Sequence, residues 1–330
     1  MKAVSIILPT YNRAHFLPDA FKSLSSQTFK DWELIIVDDG STDDTDKLVV
    51  ELQSKYSFLV TYIKQQNSGP AQARNEGIKL AKGKFIAFFD SDDVWESNHL
   101  SLAIDTFEMH EQLDWLYFSC RRIDLSTGDV LWPSTFYTDG LQNPLFSCVS
   151  ECVGNVFFLQ NDKAAICQIK EGIDSGLQNA IFRRHIFDEI MLPNFRVGED
   201  RLFILQLLKA KFTAAFIDEV TVNYCVHDGN TSDTNLNEKN IEKRIRAMQM
   251  LIDSYESTFD YLTLTRRERN ALKMRLSEDY VWKLGYSLQR ENSQHTAAIK
   301  SMLTGIKYWP YRFKYWKTLL ITIIKGAMSK

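Results

Sequence analysis

The sequence predicts an α/β fold in which a mostly parallel β-sheet is flanked by helices and followed by an α-helical C-terminal extension. Three observations predict it. Short apolar runs of strand character alternate with helical segments over residues 1–120, as in βαβ units. Several of these runs end in clusters of polar residues. After residue 235 the strands stop, and long, charge-laced helical stretches follow.

Residues 1–120 are interpreted as strands that alternate with helices. Each strand is a short apolar run, and each helix carries apolar residues three or four positions apart. Ser41 or Thr42 is expected to cap the second helix. The predicted strands are 4–8, 33–37, 59–63, 85–89 and 115–120, and the predicted helices are 14–26, a helix through 48–52, 71–81 and 98–109.

Residues 124–170 show an irregular pattern that proline and glycine interrupt. Two interpretations of the aromatic residues in this region are open: they line an acceptor pocket, or they form the core of an irregular region. The aromatic residues are Trp132, Phe136, Tyr137, Phe146, Phe157 and Phe158. The elements predicted beyond this region are helices at 179–190 and from Glu199, strands at 214–217 and 222–226, and helices at 238–255 and 265–290, the last interrupted by Gly285.

Composition argues against several classes of protein. Hydrophobic residues make up 45% and charged residues 25% of the chain, which is ordinary for a globular protein. A net charge of −3 gives no argument for nucleic acid as a partner. No apolar run approaches the ~20 residues that cross a bilayer, and the N-terminus reads as a first strand rather than a signal peptide. Five cysteines without a CxxC pair argue against disulfides and zinc, so we expect reduced thiols in a cytoplasmic protein.

The predicted strand 85–89 ends in Asp90-Ser91-Asp92-Asp93, three carboxylates within four positions. In open α/β sheets, ligands bind beyond the carboxyl ends of the strands. Carboxylates are hard oxygen donors that suit Mg²⁺ or Mn²⁺, and these cations in turn bind phosphate. The alternative is an acidic turn that caps the next helix. These four residues alone support both interpretations equally.

Two other predicted strands also end in polar clusters. Thr10-Tyr11-Asn12 follows the first strand, and Asp38-Asp39 follows the second. Because the carboxyl ends of parallel strands lie along one edge of a sheet, we expect these clusters to converge with residues 90–93 on one cleft. This expected convergence favours a ligand site over a helix cap.

Five short segments, in this order and spacing, resemble the large family of inverting glycosyltransferases commonly called family 2. The segments are IILPTYNR at 6–13, IVDDGSTD at 36–43, GPAQARNEG at 69–77, FFDSDD at 88–93 and GED at 198–200. The resemblance implies a Rossmann-like, GT-A-type fold. It covers residues 1–235, and residues 236–330 carry no comparable motif.

The resemblance implies transfer of a sugar from a nucleoside-diphosphate donor, expected to be a UDP-sugar, to an acceptor hydroxyl. The leaving diphosphate gains negative charge, which Mn²⁺ or Mg²⁺ held by carboxylates neutralises. By resemblance, Asp92 is the expected metal ligand, and Asp90 binds the donor ribose or the metal with Ser91 beside it. For Asp93, a supporting role and a helix cap are both open.

The resemblance also implies residues that bind the donor. Asp39 matches the acid that recognises the donor base, while Asp38 either shares that role or stabilises the turn. Thr10 and the backbone around Pro9 are expected to line the base or ribose. Arg74 is expected to reach the base or the diphosphate, and the alternative for it is a solvated surface arginine.

Inversion requires one general base that removes the proton of the acceptor hydroxyl during attack. By resemblance Asp200 is this base, and Glu199 positions the acceptor or the loop. A Glu-Asp pair at a helix start is otherwise ordinary capping. The resemblance also implies that His227 approaches the metal or the diphosphate, where it would be a ligand alongside Asp92; the alternative is a loop histidine without a partner. Thr231 and Ser232 are weaker candidates for phosphate binding.

Proteins of other classes fit the sequence less well. A dinucleotide-dependent dehydrogenase would show GxGxxG after its first strand, and neither that motif nor a P-loop is present. A processive polysaccharide synthase is disfavoured because transmembrane spans and a QxxRW signature are missing. The alternatives that stay open are a metal-dependent nucleotidyltransferase and a catalytically inactive sugar-nucleotide-binding protein.

The sequence predicts a catalytic domain at 1–235 and a helical region at 236–330. Within the former, 1–120 is expected to bind the nucleotide sugar and 121–235 the acceptor, a glycan or polyprenyl-linked glycan of bacterial surface polysaccharide synthesis. From residue 296 onward the chain has no Asp or Glu but seven Lys and Arg residues among aromatic ones. Residues 304–330 are interpreted as a peripheral contact with the inner face of the cell membrane; the alternative is packing on the catalytic domain.

Overall fold

The computed structural model of the chain describes residues 2–173, 175–195, 197–227, 229–230 and 240–328. The chain divides into two compact units, residues 1–168 with 172–227 and residues 169–171 with 228–330. The boundary predicted at residue 235, and the phosphate contacts predicted for Thr231 and Ser232, lie outside the described residues. These expectations stay predictions.

The strands of the described residues all belong to the first unit. They are β1 Val4–Thr10, β2 Trp32–Asp38, β3 Leu59–Lys64, β4 Phe85–Phe88, β5 Val94–Trp95, β6 Trp115–Asp124, β7 Val130–Trp132, β8 Tyr137–Thr138, β9 Leu141–Gln142, β10 Val149–Val153, β11 Val156–Leu159, β12 Ala180–Arg183 and β13 Ala214–Val226.

The helices of the described residues flank this sheet in the first unit and make up most of the second. A 3₁₀ turn at Ala14–Phe16 precedes the first helix, another spans Pro144–Cys148, and a π-helix at Asp279–Arg290 follows α9. The α-helices are α1 Leu17–Ser25, α2 Thr45–Lys55, α3 Pro70–Leu80, α4 His99–Met109, α5 Asn161–Lys170, α6 Ile186–Glu189, α7 Glu199–Lys209, α8 Ile241–Tyr261, α9 Arg266–Glu278, α10 His295–Tyr308 and α11 Phe313–Met328.

The main sheet has the order β10-β11-β13-β6-β12-β4-β1-β2-β3, with β5 paired to β13 and β7 to β6. Strands β4, β1, β2 and β3 run parallel to one another, and β6 runs parallel to β13. Strands β1, β2 and β4 are almost wholly buried because both faces of this parallel part are covered. The predicted α/β fold with a helical C-terminal extension is confirmed.

A glycine allows α3 to lie close against β1. A Cβ placed on Gly77 would be 2.4 Å from Cγ2 of Ile7, which is too close for any side chain. Because residue 77 has no side chain, α3, the helix that carries Arg74, packs directly on the central strand β1.

The prediction of a helix at 179–190 is wrong. Residues Ala180–Arg183 form β12, which pairs antiparallel with both β4 and β6, and the short helix Ile186–Glu189 follows. The side chains of Ile181 and Phe182 are fully buried on opposite faces of the sheet. An apolar run this short is compatible with a strand or a buried helix, and only pairing with its neighbours decides between them.

Three smaller expectations also need correction. Residues 124–170 are not irregular throughout, because they contain short strands and helix α5. The two strands predicted after residue 213 are one strand, β13, whose register shifts near Val220 account for the break in the pattern. Helix α2 begins at Thr45, after Asp44, so neither Ser41 nor Thr42 caps it.

The aromatic residues of 124–170 divide between core and surface. Phe136 and Phe158 are buried, and Phe136, Phe146 and Phe157 pack their rings around Phe216. These rings are part of the hydrophobic core, which agrees with the core interpretation rather than with an acceptor pocket. Trp132 keeps 37% of its surface exposed.

The second unit is a bundle of helices around a small apolar core. Thr265 and Glu268 form a capping box that starts α9. Gly285 does not interrupt the predicted helix at 265–290, because α9 continues directly into the π-helix. None of the helices in the part of the chain that the structure describes is long and apolar enough to span a bilayer.

Candidate active site

The carboxyl ends of β1, β2 and β4 lie side by side. Thr10 pairs with Asp38 at the end of the parallel register between β1 and β2, and β4 pairs with the other side of β1. The loops after β1 and β2 are joined by Asn12, whose side-chain oxygen accepts a hydrogen bond from the Thr42 N–H at 2.7 Å. The expected convergence of the polar clusters on one edge of the sheet is therefore observed.

Asp38 is bonded to its own turn and to the neighbouring strand β3. Its side chain is fully buried and accepts hydrogen bonds from the Ser41 N–H and the Tyr62 hydroxyl, both at 2.7 Å. Burial, and then the bond to Asp38, raise the pKa of Tyr62. This environment favours the turn-stabilising interpretation of Asp38 over recognition of a donor base.

Asp39 holds the loop between β3 and α3. Its carboxylate accepts hydrogen bonds from the Gln65 side chain at 2.7 Å and from the N–H groups of Ser68 and Gly69 at 2.8 Å each. Because a carboxylate has about four acceptor positions, these three bonds leave one position for a ligand. Recognition of a donor base by Asp39 is compatible with this geometry and stays a prediction.

Arg74 lies buried between two carboxylates. Its Nη2 is 2.7 Å from Asp90 Oδ1, and its Nη1 is 2.9 Å from Glu199 Oε1. One arginine thus joins the acidic cluster after β4 to the first residue of α7. The interpretation of Arg74 as a solvated surface residue is wrong, since only 6% of the residue is exposed.

Burial and neighbouring charges shift the pKa values of Arg74 and Glu199. Burial alone would lower the pKa of Arg74, but the neighbouring Asp90 and Glu199 carboxylates outweigh burial and raise it. Burial raises the pKa of Glu199 to about 7, although Arg74 acts in the opposite direction. Arg74 is therefore the positive charge that permits two carboxylates to be held in this part of the site.

Asp92 contacts two side chains from distant parts of the chain. Its Oδ2 is 2.5 Å from Arg13 Nη1 and 3.0 Å from His227 Nε2. Phe16 packs its ring 4.8 Å from the His227 ring. Burial acts to raise the pKa of Asp92, but the His227 hydrogen bond and the Arg13 charge outweigh it and keep the pKa below its usual range. The interpretation of His227 as a loop residue without a partner is therefore wrong.

Asp93 is not a helix cap. Strand β5 follows it at Val94, and the next helix begins at His99. Asp93 Oδ1 accepts a hydrogen bond from the Cys225 N–H at 3.1 Å. Burial, followed by the charges of Asp92 and Asp90, raises the pKa of Asp93 well above its usual value.

Several buried polar atoms at this edge have no hydrogen-bond partner among the described residues. They are Thr10 Oγ1, Arg74 Nε, Ser91 Oγ and Asp93 Oδ2. Buried polar atoms are nearly always paired in folded proteins, so a group of unpaired ones indicates a bound ligand or water. All four residues lie within the segments at 6–13, 69–77 and 88–93 that carry the family resemblance.

Asp200 lies in the first turn of α7, beside Glu199. Gly198 precedes the helix with a φ of 86°, a conformation that favours glycine. Asp200 is partly exposed, and its Oδ1 accepts a hydrogen bond from the Arg201 N–H at 2.7 Å. The turn presents Asp200 next to the ion pair that Glu199 makes with Arg74.

The three predicted metal ligands are not brought together as a set. Asp92 and His227 are in contact, while Asp90 faces Arg74. Across the described residues, no three His, Cys, Asp or Glu side chains form a group that would hold a metal. Mg²⁺ is commonly bound by one or two carboxylates together with substrate phosphates. The residues present fit a cation bound with a diphosphate rather than an all-protein metal site.

Residues 5–190, more than half of the chain, match the sequence model of glycosyl transferase family 2. The chain belongs to this family. The match includes the loops after β1, β2 and β4 and helix α3, and it ends before α7. The family resemblance is thereby confirmed. Four of the five short segments lie within the matched residues, and the segment at 198–200 lies beyond them.

Relatives of this family 2 chain include longer proteins. An uncharacterized glycosyltransferase of Rickettsia conorii is 29% identical over 277 residues, which is 84% of this chain and 41% of that protein. The UDP-Glc:alpha-D-GlcNAc-diphosphoundecaprenol beta-1,3-glucosyltransferase WfgD of Escherichia coli is 43% identical over 101 residues, 31% of this chain and 39% of WfgD. The matched part of the chain covers about two fifths of the length of each of these two relatives.

A solved structure shows the same fold. The mannosyltransferase PcManGT from Pyrobaculum calidifontis, in complex with GDP-Man and Mn²⁺, superposes with a TM-score of 0.58 and 17% sequence identity. The similarity covers 100% of this chain and 88% of PcManGT. At this identity the similarity supports the GT-A-type fold of the family 2 chain and nothing finer.

Sequence reasoning missed two residues of this site. Arg13 contacts Asp92, and Phe16 packs against His227 and lies under the Arg13 guanidinium, 5.9 Å from it. Arg13 belongs to the family-like segment at 6–13, so the motif itself contained the signal. Phe16 reads as one more apolar residue of a predicted helix, and nothing in the sequence distinguishes it.

Proposed function

We propose that the chain is an inverting glycosyltransferase that moves a sugar from a UDP-sugar to a hydroxyl of a glycan or lipid-linked glycan. The observation that carries this proposal is the Asp90–Arg74–Glu199 ion-pair network. Asp90 belongs to the proposed donor site at the end of β4, and Glu199 is the neighbour of Asp200, the proposed base. The network therefore connects the donor site to the base. Single-displacement transfer requires donor and base in one fixed arrangement.

The roles of the site residues follow the order of the reaction. Asp39 accepts from the donor base, with Thr10 and the Pro9 backbone beside the base and ribose. Asp90 and Ser91 face the ribose, and Arg74 holds Asp90 in place. The acceptor hydroxyl attacks the anomeric carbon from the side opposite the diphosphate, and Asp200 accepts the proton of that hydroxyl during the attack.

We propose Mn²⁺ or Mg²⁺ as the cofactor, held by Asp92 and His227 together with the diphosphate of the donor. A cation held there would supply positive charge opposite the negative charge that develops on the leaving diphosphate. PcManGT, which has the same fold, was solved in complex with GDP-Man and Mn²⁺. Asp90 is a further candidate ligand if the donor displaces it from Arg74.

Removal of divalent cations is expected to abolish transfer. EDTA should eliminate product formation from a UDP-sugar, and excess Mn²⁺ or Mg²⁺ should restore it, because Asp92 and His227 alone cannot offset the diphosphate charge. The assay measures released UDP and the glycosylated acceptor. EDTA saturated with Mn²⁺ beforehand serves as the control. Full activity in metal-free EDTA would contradict the proposed cofactor.

Replacement of Asp39 by asparagine is expected to weaken UDP binding by about 1–3 kcal/mol, since a directional acceptor is lost from a buried position. Isothermal titration of the protein with UDP and Mn²⁺ measures the change. Asp44→Asn is the matched control, because Asp44 is an exposed carboxylate of the same loop region paired only with the surface Lys47 in the described structure. Equal UDP affinity of the two variants would remove Asp39 from the donor site.

The acceptor is proposed from the relatives. WfgD is named for transfer of glucose to GlcNAc-diphosphoundecaprenol, a sugar on a polyprenyl diphosphate. We propose an acceptor of that chemical class, in bacterial surface polysaccharide synthesis at the cytoplasmic face of the membrane. A panel of nucleotide sugars assayed with Mn²⁺ tests donor and reaction together. Release of UDP accompanies glycosyl transfer, whereas release of pyrophosphate would indicate a nucleotidyltransferase.

A further inference from the structure

Helix α11 carries apolar side chains on two opposite faces. One face is packed in the second unit: Tyr315 and Leu319 are buried in a core with Val281 and Met302. The other face, here called the outer face of α11, keeps between 44% and 79% of each side chain exposed. Its residues are Phe313, Trp316, Leu320, Ile323 and Ile324.

The outer face is continuous along the helix. Positions 313, 316, 320, 323 and 324 recur at intervals of three and four residues, which places them on one side of an α-helix. Scattered exposed apolar residues are normal on a protein surface, but a contiguous apolar stripe indicates a binding surface. Tyr311, which is 83% exposed, precedes the stripe at its N-terminal end.

The charges beside the outer face have one sign. Lys314, Lys317 and Lys325 are exposed residues of α11 that lie along one flank of the outer face. From residue 296 to the end of the sequence there is no Asp or Glu. Lysine side chains can lay their apolar stems along such a surface while their charged ends reach toward anionic groups.

Charge decides between two occupants of this surface. In a symmetric pair of α11 helices, the lysine flank of each copy would approach a flank of the same charge, with no acidic residue in 296–330 to compensate. The phosphates of an anionic lipid surface balance the positive charge of the lysines, and the interfacial region of the membrane buries the apolar stripe. The helix has 16 residues, and no described helix is both long and apolar enough to cross a bilayer. A helix with one apolar face and lysines beside it binds in the interfacial plane of a membrane.

We infer that the outer face of α11 docks on the surface of an anionic membrane, with Phe313, Trp316, Leu320, Ile323 and Ile324 in the interfacial region. Lys314, Lys317 and Lys325 contact the lipid phosphates. The membrane contact that the sequence predicts for residues 304–330 is thus assigned to one face of α11. The inference does not depend on the transfer chemistry.

Vesicle flotation of the full chain tests this inference. The wild type is expected to bind vesicles of equal parts phosphatidylglycerol and phosphatidylcholine, more weakly as salt rises, and to bind pure phosphatidylcholine vesicles poorly. Lys314→Gln/Lys317→Gln/Lys325→Gln should lower anionic binding by roughly a hundredfold, about fivefold per lysine. Leu320→Gln/Ile324→Gln should lower binding by roughly tenfold or more through lost apolar burial.

Val50→Gln is the matched control, since Val50 is a 66% exposed apolar residue on α2 of the first unit. It should bind vesicles as the wild type does, and circular dichroism confirms that all variants fold. Sedimentation equilibrium is run in parallel. Failure of the wild type to float, equal binding by Leu320→Gln/Ile324→Gln, or a dimer that this variant dissociates would each overturn the inference. UDP release with a water-soluble acceptor should be unchanged in the α11 variants, which separates this inference from the proposed reaction.

Discussion

Asp200→Asn is expected to lower the rate of transfer by about 10²–10⁴-fold while UDP affinity stays unchanged. Asparagine keeps the side-chain oxygen that accepts the Arg201 N–H, so the first turn of α7 should remain intact. It cannot take the proton of the acceptor hydroxyl. The expected result is therefore a loss in kcat without a loss in donor binding, measured by product formation and by titration with UDP.

Asp188→Asn is the matched control for this substitution, because Asp188 is an exposed carboxylate on the nearby short helix α6. It should leave kcat unchanged. Glu199→Gln separates the two members of the pair, since it alters the contact with Arg74 but leaves the proposed base in place. Comparable turnover by Asp200→Asn and the wild type would eliminate Asp200 as the base.

Arg74→Met is expected to destabilise the first unit by about 3–5 kcal/mol, because it leaves the Asp90 and Glu199 carboxylates without their buried counter-charge. The free energy of unfolding from urea titration measures the loss. The loss should be smaller near pH 5 than at pH 8. Without Arg74 the raised pKa of Glu199 rises further, so the folded state binds more protons than the unfolded chain, and stability falls as pH increases.

Arg121→Met provides the matched control. Arg121 and Glu96 are 3.6 Å apart with half-exposed side chains, so their ion pair should contribute less than about 1 kcal/mol. Glu199→Gln combined with Arg74→Met should recover part of the lost stability, since a neutral amide needs no counter-charge. An equal effect of Arg74→Met and Arg121→Met would show that the Arg74 network does not stabilise the fold.

The sequence was sufficient for the parallel half of the sheet. Strands β1, β2, β3 and β4 are short apolar runs, most of them next to proline, glycine or aspartate, and these local signals predict their positions within one or two residues. The sequence was not sufficient for β12. Its four residues read equally well as part of a helix, and their identity as a strand depends on the edges of β4 and β6 between which they pair.

The site shows the same division. The carboxyl ends of parallel strands share one edge, which predicts that Asp39, Asp90 and Asp92 lie close together. Arg74 and Asp200 are added to this group only by the family resemblance. The motifs do not predict that Arg74 bonds to Glu199, 125 positions away, or that Arg13 and His227 converge on Asp92. No local pattern encodes contacts between residues so far apart in the chain.

The sequence by itself therefore determined the fold class, the family and the strand ends at which the site is built, since each of these depends on short-range periodicity and motif. Only the tertiary structure decided that Asp93 is no helix cap, that Arg74 is a buried bridge and that α11 keeps a second apolar face exposed. Those properties depend on which surfaces other elements cover, and burial of that kind is set by the packing of the whole chain.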